Sequence, residues 1–266
     1  MNKQTLFVVK IGGNVIDKQH DLEHFLTQFA QIPNPKILVH GGGKIATEFS
    51  KQLGIEAVMV NGRRVTDEAM LKIVVMVYAG LVNKNIVALL QKANQNAIGL
   101  SGADANVIQA TRRPVQEIDY GLVGDISPES VNTAFVKTIL AQDISPVFSP
   151  IAHDAQGQLL NINADTIAAS VAKALSQDYA VRLIYGFEKA GVLQNPTDET
   201  SVINSITPQS YESYKQSGVI SGGMIPKLDN AFDALQAGVS LVQIGDAMQL
   251  LDLCKNPPVS GTAISF

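Results

Sequence analysis

The sequence predicts an α/β fold, an open three-layer αβα sandwich around a central, mainly parallel sheet. Short apolar runs rich in Val and Ile alternate with longer amphipathic stretches, and the alternation continues along nearly the whole chain. Buried strands are predicted at Leu6–Ile11, Lys36–His40, Ala97–Leu100, Ile144–Ser149, Ala180–Tyr185 and Leu241–Ile244. Helices are predicted at Leu22–Gln31, Lys44–Leu53, Asp67–Ala93, Glu129–Gln142, Ala164–Leu175 and Lys227–Ala237.

Two further segments have the composition of β-hairpins. They are Ala57–Thr66 and Ile151–Asn161, and the second contains the turn sequence Asp-Ala-Gln-Gly. We expect them to form a lid or wall over a site. Gln194–Pro208 is rich in Asn, Pro, Thr, Asp and Ser and is typical of a linker. Residues 1–266 are therefore predicted to form one domain, with an N-terminal lobe of about 1–175 and a C-terminal lobe of about 176–266.

The composition argues against several classes of protein. A net charge of −4 without a basic tract is unfavourable for nucleic-acid binding, and the single cysteine, Cys254, suits a reducing cytoplasm. The longest apolar-rich stretch, Leu71–Leu90, is interrupted by Lys and Asn residues, so no membrane span is expected. The N-terminal apolar run ends in Lys-Ile-Gly-Gly and indicates a strand rather than a signal peptide. The four histidines lack metal-ligand spacing, so we expect a cytoplasmic protein with a small-molecule ligand and no protein metal site.

Three glycine clusters lie where predicted strands end or helices begin: Lys10–Asn14, His40–Lys44 and Gly222–Lys227. Glycines allow close approach of the backbone to a ligand, and N–H groups at a helix start favour anions. The second cluster fails the Walker A pattern because Gly43-Lys44 is followed by Ile45. It matches the dinucleotide fingerprint loosely, but no acidic residue follows about 20 positions later, so a nicotinamide enzyme is not expected.

Five motifs in order resemble the amino-acid kinase family, and within it the acylglutamate kinases. They are K-I-G-G at 10–13, H-G-G-G at 40–43, N-G-R-R-V-T at 61–66, N-I-N-A-D at 161–165 and G-G-M-I-P-K at 222–227. The resemblance implies ATP-dependent phosphorylation of the side-chain carboxylate of N-acetyl-L-glutamate, in arginine biosynthesis. It also implies a homodimer, with the acylglutamate over the N-terminal lobe and ATP, carrying Mg²⁺ on its phosphates, over the C-terminal lobe.

The same resemblance implies roles for individual residues. Lys10 and Lys227 would flank the transferring phosphoryl group, and Asp165 would hold the two lysines in place. Asp165 could also be a helix N-cap, and the sequence does not decide whether Arg63 or Arg64 points inward. The expected substrate-binding residues are Gly42, Gly43, Arg64 and Asn161. The expected ATP-binding residues are Gly12, Gly13, Glu188, Lys189, Gly191, Val192, Leu193, Val219, Ile220 and Ser221.

The chain departs from the family pattern in two places. Tyr185–Lys189 reads Y-G-F-E-K where a T-D-V segment is usual, so that Glu188 stands in the place of Asp. Arginine-inhibited members carry a helix before the first strand, and no arginine inhibition is expected here. The alternatives left open are N-succinyl-L-glutamate as the acceptor, another amino-acid kinase activity, and a non-catalytic acylglutamate-binding protein. A succinyl carboxylate would need a polar partner, for which Arg63, Lys72 and Asn83 are candidates.

Overall fold

The computed structural model describes residues 3–33, 35–60, 62–222 and 224–266. The strands are β1 Thr5–Ile11, β2 Lys36–His40, β3 Met59–Val60, β4 Arg63–Arg64, β5 Ala97–Leu100, β6 Thr111–Arg112, β7 Gly124–Asp125, β8 Ser145–Phe148, β9 Ile151–His153, β10 Leu159–Asn161, β11 Ala180–Phe187, β12 Ser205–Ile206, β13 Leu241–Asp246 and β14 Thr262–Ile264. The helices are α1 Gly13–Asp17, α2 Gln19–Ala30, α3 Gly43–Gln52, α4 Glu68–Val74, α5 Asn83–Lys92, α6 Thr133–Leu140, α7 Ala164–Leu175, α8 Pro208–Gln216, α9 Met224–Gln236 and α10 Leu250–Cys254.

One sheet of eight strands runs through both halves of the chain in the order β12-β14-β13-β11-β1-β2-β8-β5. The six strands from β13 to β5 are all parallel to one another. β14 pairs antiparallel with β13, and β12 pairs parallel with β14, so the reversed pair lies at one edge. The predicted mainly parallel sheet is confirmed. Because the parallel strands point the same way, the loops after β1, β2 and β11 lie together at the carboxyl ends of the strands.

Side chains of the sheet alternate between two cores, as the strand period of two requires. On β1, Leu6 and Val8 face a core shared with α6, α7, α8 and α9. Phe7, Val9 and Ile11 face the opposite core, which packs against α1 to α5 and α10. Both faces of the sheet are therefore covered by helices, which confirms the three-layer sandwich.

Most predicted elements are found within a few residues of their predicted bounds, and two predicted helices differ from the structure. The predicted helix Asp67–Ala93 is continuous, but its middle, Val75–Val82, is π-helical. The predicted helix Glu129–Gln142 is divided into a 3₁₀ turn, Pro128–Ser130, and α6. Val131 and Asn132 separate the two pieces, and the Asn132 side chain caps α6 by accepting a hydrogen bond from the Phe135 N–H.

The segment Gln194–Pro208 is not a linker between the two halves. It contributes the edge strand β12, and Leu193 is bridged to Val202 at its start. It belongs to the C-terminal half, because the crossing between halves is made by β11 beside β1. The polar composition reflects an exposed edge loop rather than a boundary.

The helical stretch Glu68–Lys92 is long and apolar enough to cross a membrane by length and composition, with a mean hydropathy of 1.9 in its best window. It packs on the sheet as a core element. Its buried residues Met70, Ile73, Val77, Ile86 and Leu90 belong to the core below α4 and α5. Burial of these residues against the sheet accounts for part of the apolar composition.

Candidate active site

Two lysines and one carboxylate from three separate elements meet above the centre of the sheet. Lys10 lies on β1, Asp165 in the first turn of α7, and Lys227 in the first turn of α9. The Lys10 Nζ is 2.8 Å from Asp165 Oδ1, and the Lys227 Nζ is 3.9 Å from Asp165 Oδ2. Residues 217 positions apart in sequence are thus brought to a single carboxylate, which is the arrangement that the family resemblance implies.

The side chain of Asp165 is free to face the lysines because another residue caps its helix. Asn163 is the N-cap of α7, and its Oδ1 accepts hydrogen bonds from the N–H groups of Asp165 and Thr166. The alternative prediction that Asp165 is itself the cap is therefore wrong. An Asn two residues earlier satisfies the orphan N–H groups of the helix instead.

Burial and charge act in opposite directions on these groups. Burial raises the pKa of Asp165, but the charges of Lys10 and Lys227 and a hydrogen bond from Lys10 outweigh it, so the pKa lies below its ordinary value. Burial lowers the pKa of Lys227; Asp165 raises it, and Lys10 lowers it further. The cluster carries two positive charges and one negative charge, so it has net positive charge to offer an anion.

A cavity of about 580 Å³, which we call the lysine cavity, opens next to this cluster. Its walls are the first two glycine loops, with Gly12 and Gly13 on one side and the loop Gly41–Gly43 on the other. Lys10, Lys227 and Glu188 also line it. At its mouth, Asn14 donates a hydrogen bond to the Glu188 carboxylate and accepts one from Lys44. The cavity is therefore cationic at its inner end and backbone-lined on its sides.

A second cavity of about 200 Å³, the arginine cavity, shares the loop Gly41–Gly43, Met59 and Arg64 with the first. Gly42 has φ of +150°, and a Cβ there would lie 3.0 Å from the ring of Tyr78, so only glycine fits between the loop and that ring. The predicted hairpin β3–β4 and the loop after hairpin β9–β10 wall this cavity. Both predicted hairpins thus lie where a site was expected.

Arg64 points inward and Arg63 does not, which resolves the ambiguity left by the sequence. Arg64 is buried, and its Nη2 donates to the Gly43 carbonyl and to Thr47 Oγ1, both at 2.8 Å. Arg63 is exposed at the rim of the arginine cavity. Asn61, the first residue of the same motif, and Gly223, in the third glycine cluster, lie outside the described residues.

Asn161 lines the arginine cavity at the end of β10. It is buried, its Nδ2 donates to Thr66 Oγ1 at 3.0 Å, and its N–H donates to the Leu122 carbonyl. Of the other polar candidates, Asn83 is buried elsewhere against His40, and Lys72 is exposed on α4. Neither lines the arginine cavity.

Sequence reasoning missed Arg113 and Asp125, which also line the arginine cavity. Arg113 forms a salt bridge with Asp125, in which its Nε lies 3.2 and 3.1 Å from the two carboxylate oxygens. Its guanidinium lies 5.6 Å from the ring centroid of Tyr120. Asp125 is the last residue of β7 and Arg113 directly follows β6, and these two paired strands are only two residues long. Strands this short show no periodicity in the sequence. Only the charged residues in the Arg112-Arg113 and Gly124-Asp125 dipeptides could have suggested an ion pair between Arg113 and Asp125.

The predicted ATP-binding residues are divided between two environments. Gly12, Gly13 and Glu188 line the lysine cavity, whereas Lys189 lies outside it and pairs with Glu199 at 2.6 Å. Val192 and Ile220 are buried in the core, and the Val192 N–H donates to Thr262 Oγ1. Gly191 packs against Thr262 and Val202, Leu193 is bridged to Val202, Val219 is half-buried and Ser221 is exposed.

The model of the amino acid kinase family matches residues 5–246. The chain belongs to the amino acid kinase family. The match spans both cavities and all three members of the lysine–aspartate cluster.

Several similar proteins are acetylglutamate kinases. The one from Cytophaga hutchinsonii is 52% identical over 262 residues, which cover 98% of each chain. The one from Phocaeicola vulgatus is 52% identical over 242 residues, 91% of this chain and 93% of that protein. A crystal structure of a Streptococcus mutans UA159 protein is 28% identical, covers 98% of both chains and has a TM-score of 0.78. The family and the three-layer fold are therefore shown by sequence and by structure.

Proposed function

We propose that this protein transfers the γ-phosphoryl group of ATP to the side-chain carboxylate of N-acetyl-L-glutamate, in arginine biosynthesis. The observation that carries the proposal is the Lys10–Asp165–Lys227 cluster beside a second cavity that holds a buried arginine. The acetylglutamate kinases, half identical to this chain over nearly its full length, support the choice of acceptor.

The chemistry requires charge neutralisation rather than a general base. A carboxylate acceptor is already ionised at neutral pH, so no group must remove a proton from it. The difficulty is that an anionic nucleophile approaches an anionic phosphate. In phosphoryl transfer, catalysis comes mainly from positioning and from fixed charges that face the transferring group. In this proposal Lys10 and Lys227 supply those charges, and Asp165 keeps them in place.

The arginine cavity suits an acylated amino acid. Nη2 of Arg64 donates to Gly43 and Thr47, and Nη1 makes only a long contact of 3.8 Å with Met70 Sδ. Arg64 lines the cavity, and its guanidinium can bind the α-carboxylate there. Asn161 offers an amide for the substrate's acylamino group, and the loop Gly42–Gly43 offers N–H groups at the start of α3. The acceptor carboxylate would then point from the arginine cavity towards the lysines.

ATP is proposed to occupy the lysine cavity with its phosphates, and its base to extend over the C-terminal half of the sheet. Among the described residues, no group of three or more His, Cys, Asp or Glu side chains is arranged to hold a metal ion. Mg²⁺ would therefore be held by the ATP phosphates and water, where it neutralises phosphate charge. The enzyme is proposed to be a cytoplasmic homodimer.

A second candidate acceptor is N-succinyl-L-glutamate. The observation that favours it is that Arg63 and Arg113 both line the arginine cavity. Against it, Arg113 is already paired with Asp125, which would repel the second carboxylate of a succinyl group. N-acetyl-L-glutamate is the preferred candidate because its acyl group brings no second carboxylate near Asp125, and because the relatives that are half identical are acetylglutamate kinases.

The test is ADP release with N-acetyl-L-glutamate, N-succinyl-L-glutamate, L-glutamate, L-aspartate, carbamate and UMP as acceptors. We expect the highest kcat/KM for N-acetyl-L-glutamate, and a tenfold preference over the succinyl compound would correspond to about 1.4 kcal/mol. Asp165→Asn serves as the control and should be much slower than the wild type, because the two lysines lose their counter-charge. ADP release at the wild-type rate in this variant would come from a contaminating kinase. A preference for the succinyl compound would overturn the acyl assignment, and no ADP release with any acceptor would overturn the kinase assignment.

A further inference from the structure

The segment that departs from the family pattern lies directly beneath Lys227. Tyr185 and Phe187 are two positions apart on β11, so their rings project from the same face of the sheet. That face also carries Lys10, since Lys10 and Tyr185 are partners in the register of β1 and β11. The Lys227 Nζ lies 5.6 Å from the ring centroid of Tyr185 and 5.4 Å from that of Phe187.

We propose that Tyr185 and Phe187 form an aromatic platform that positions the Lys227 ammonium for phosphoryl transfer through cation–π contacts. The inference deepens the proposed function and rests on it. Both distances are within the ~6 Å at which an ammonium is attracted to a ring face. Tyr185 and Phe187 are positioning residues, because they act through Lys227 and not on the substrate.

The weak hold of Asp165 on Lys227 explains why a second contact is needed. Lys10 lies 2.8 Å from one carboxylate oxygen, while Lys227 lies 3.9 Å from the other. A lysine side chain has several rotatable bonds and needs more than one contact to be held at a single place. The two rings supply that contact from below and leave the upper side of the ammonium open to the lysine cavity.

The platform also reconciles burial with charge. Burial lowers the pKa of Lys227, which disfavours the charged form that the reaction needs. Aliphatic neighbours would lower the pKa of Lys227 further and would not attract its charged form. Aromatic rings exclude water too, but their negative faces attract the ammonium, so they can bury the lysine and keep it charged.

The aromatic rings, and not the Tyr185 hydroxyl, make the contact that positions Lys227. The Tyr185 side chain is buried, and its hydroxyl has no hydrogen-bond partner among the residues that the structure describes. Its pKa is raised far above the ordinary value, first by burial and then by Asp165, so it stays protonated. Phe187 has no hydroxyl and makes the shorter contact, and it lines the lysine cavity.

The decisive experiment is stepwise fluorination of Phe187, which weakens the attraction of the ring face for a cation while nearly preserving the shape of the ring. Phenylalanines with one, two and three ring fluorines are placed at position 187 by nonsense suppression, and steady-state kinetics and Tm are measured. We expect log kcat to fall stepwise, to a total loss of about three- to tenfold, with KM and Tm nearly unchanged. The same series at Phe135, a half-buried residue of α6, is the matched control and should leave kcat unchanged.

Conventional variants give an independent check. Phe187→Leu keeps an apolar side chain of similar size but removes the ring, so kcat should fall about three- to tenfold, while Phe187→Tyr should stay within about twofold of the wild type. Tyr185→Phe should also keep kcat and should not lower Tm, because the hydroxyl it removes is unpartnered.

The possible outcomes distinguish failure of the aromatic platform from failure of the proposed kinase function. A wild type that releases no ADP with any acceptor defeats the proposed function. An active wild type whose kcat is insensitive to fluorine at position 187 defeats the platform alone. A loss with Tyr185→Phe as large as that with Phe187→Leu would also overturn the platform, because that variant keeps the ring.

Discussion

Asp165 sets the geometry of the site at the scale of single residues. It is the one carboxylate between two lysines that come from opposite ends of the chain, and its own helix is capped by Asn163. Without it, two ammonium groups would face each other at close range with no counter-charge, at a cost that rises as water is excluded. The lysines can therefore be preorganised only while Asp165 is ionised, and its lowered pKa keeps it ionised far below neutral pH.

Replacing either lysine should slow the chemical step much more than it weakens substrate binding. We expect Lys10→Ala and Lys227→Ala each to lower kcat by ~10²–10³, the usual loss on removing one preorganised charge-stabilising group. Lys72→Ala, on the exposed side of α4, is the control and should be close to the wild type. Steady-state kinetics with N-acetyl-L-glutamate give the measurement. A variant with wild-type turnover would remove its lysine from the mechanism.

Arg64 and Arg63 form a matched pair for testing substrate binding. Lysine cannot reproduce the planar fork with which Arg64 bonds Gly43 and Thr47 and faces the cavity, so Arg64→Lys should raise the KM for the acylglutamate at least tenfold. The KM for ATP should stay within about twofold, since Arg64 is proposed to bind only the acceptor. Arg63→Lys, at the exposed rim, should change either KM little. A loss of ATP affinity without a change for the acylglutamate would contradict this role.

At the scale of elements, the end of β2 is joined to the long helical stretch by a buried histidine. His40 is fully buried, and its Nδ1 lies 2.7 Å from the Gly41 carbonyl, so Nδ1 carries the proton. The Asn83 Nδ2, at the start of α5, donates to His40 Nε2 and to the Val147 carbonyl. Both ring nitrogens are used in the neutral form, and a second proton on Nε2 would face the Asn83 donor. Burial accordingly lowers the pKa of His40 to about 4.

This histidine should make stability depend on pH in a definite window. Between pH 4 and 6.5 the unfolded chain binds a proton at His40 that the folded chain does not bind, so the free energy of unfolding must fall as the pH drops. The full loss is on the order of 3 kcal/mol. Urea unfolding at several pH values should show that His40→Gln flattens this slope, while His20→Gln, on an exposed side chain, leaves it as in the wild type. An equal slope in the wild type and His40→Gln would contradict the assignment.

The elements whose bounds were predicted well are those in which the apolar pattern and the residues at the ends indicate the same limits. The predicted helix Ala164–Leu175 and the strands Lys36–His40 and Ala97–Leu100 have the predicted bounds, because apolar period and caps agree there. The π-helical turn at Val75–Val82 could not be predicted, since a one-residue shift of the hydrogen bonds leaves the apolar pattern almost unchanged. The strands β12 and β14 were missed because strands of two and three residues carry too little periodicity and are defined by the strands they pair with.

The site was predictable to the extent that its residues carry motifs. Lys10, Asp165, Lys227 and Arg64 lie in motifs that the resemblance picks out. The lysines and Arg64 line adjoining cavities, and Asp165 contacts the two lysines. Arg113 and Asp125 carry no motif and were missed. The Tyr185–Lys189 segment was noticed only as a departure, because the position of a ring beneath a lysine depends on the register of β11 with β1.

At the scale of the whole molecule, the two edges of the sheet differ. One edge is closed by the reversed strands β14 and β12. The other is β5, a parallel strand that has no strand neighbour on its outer side among the described residues, and its Ile98 is 37% exposed. Lys84 of α5 donates to the Gly99 carbonyl, which ties the helical stretch to this edge. Met76 and Leu81 on that stretch are 57% and 44% exposed. Exposed apolar side chains beside an open edge strand are typical of a contact between subunits.

The proposed homodimer should therefore form through the edge made by β5 and the exposed side of Val75–Val82. Light scattering on the purified protein should give twice the chain mass of 28.4 kDa. Introducing charge into this surface with Met76→Lys and Leu81→Lys together should yield a folded monomer, because two unpaired ammonium groups would be buried in the interface. Val259→Lys is the matched control, since Val259 is also an exposed apolar side chain, at 62%, but precedes β14 near the opposite edge. Circular dichroism must show that the double variant keeps its helix content. A monomeric wild type would contradict the homodimer. A double variant that still dimerises, while Val259→Lys does not, would place the interface near Val259 instead.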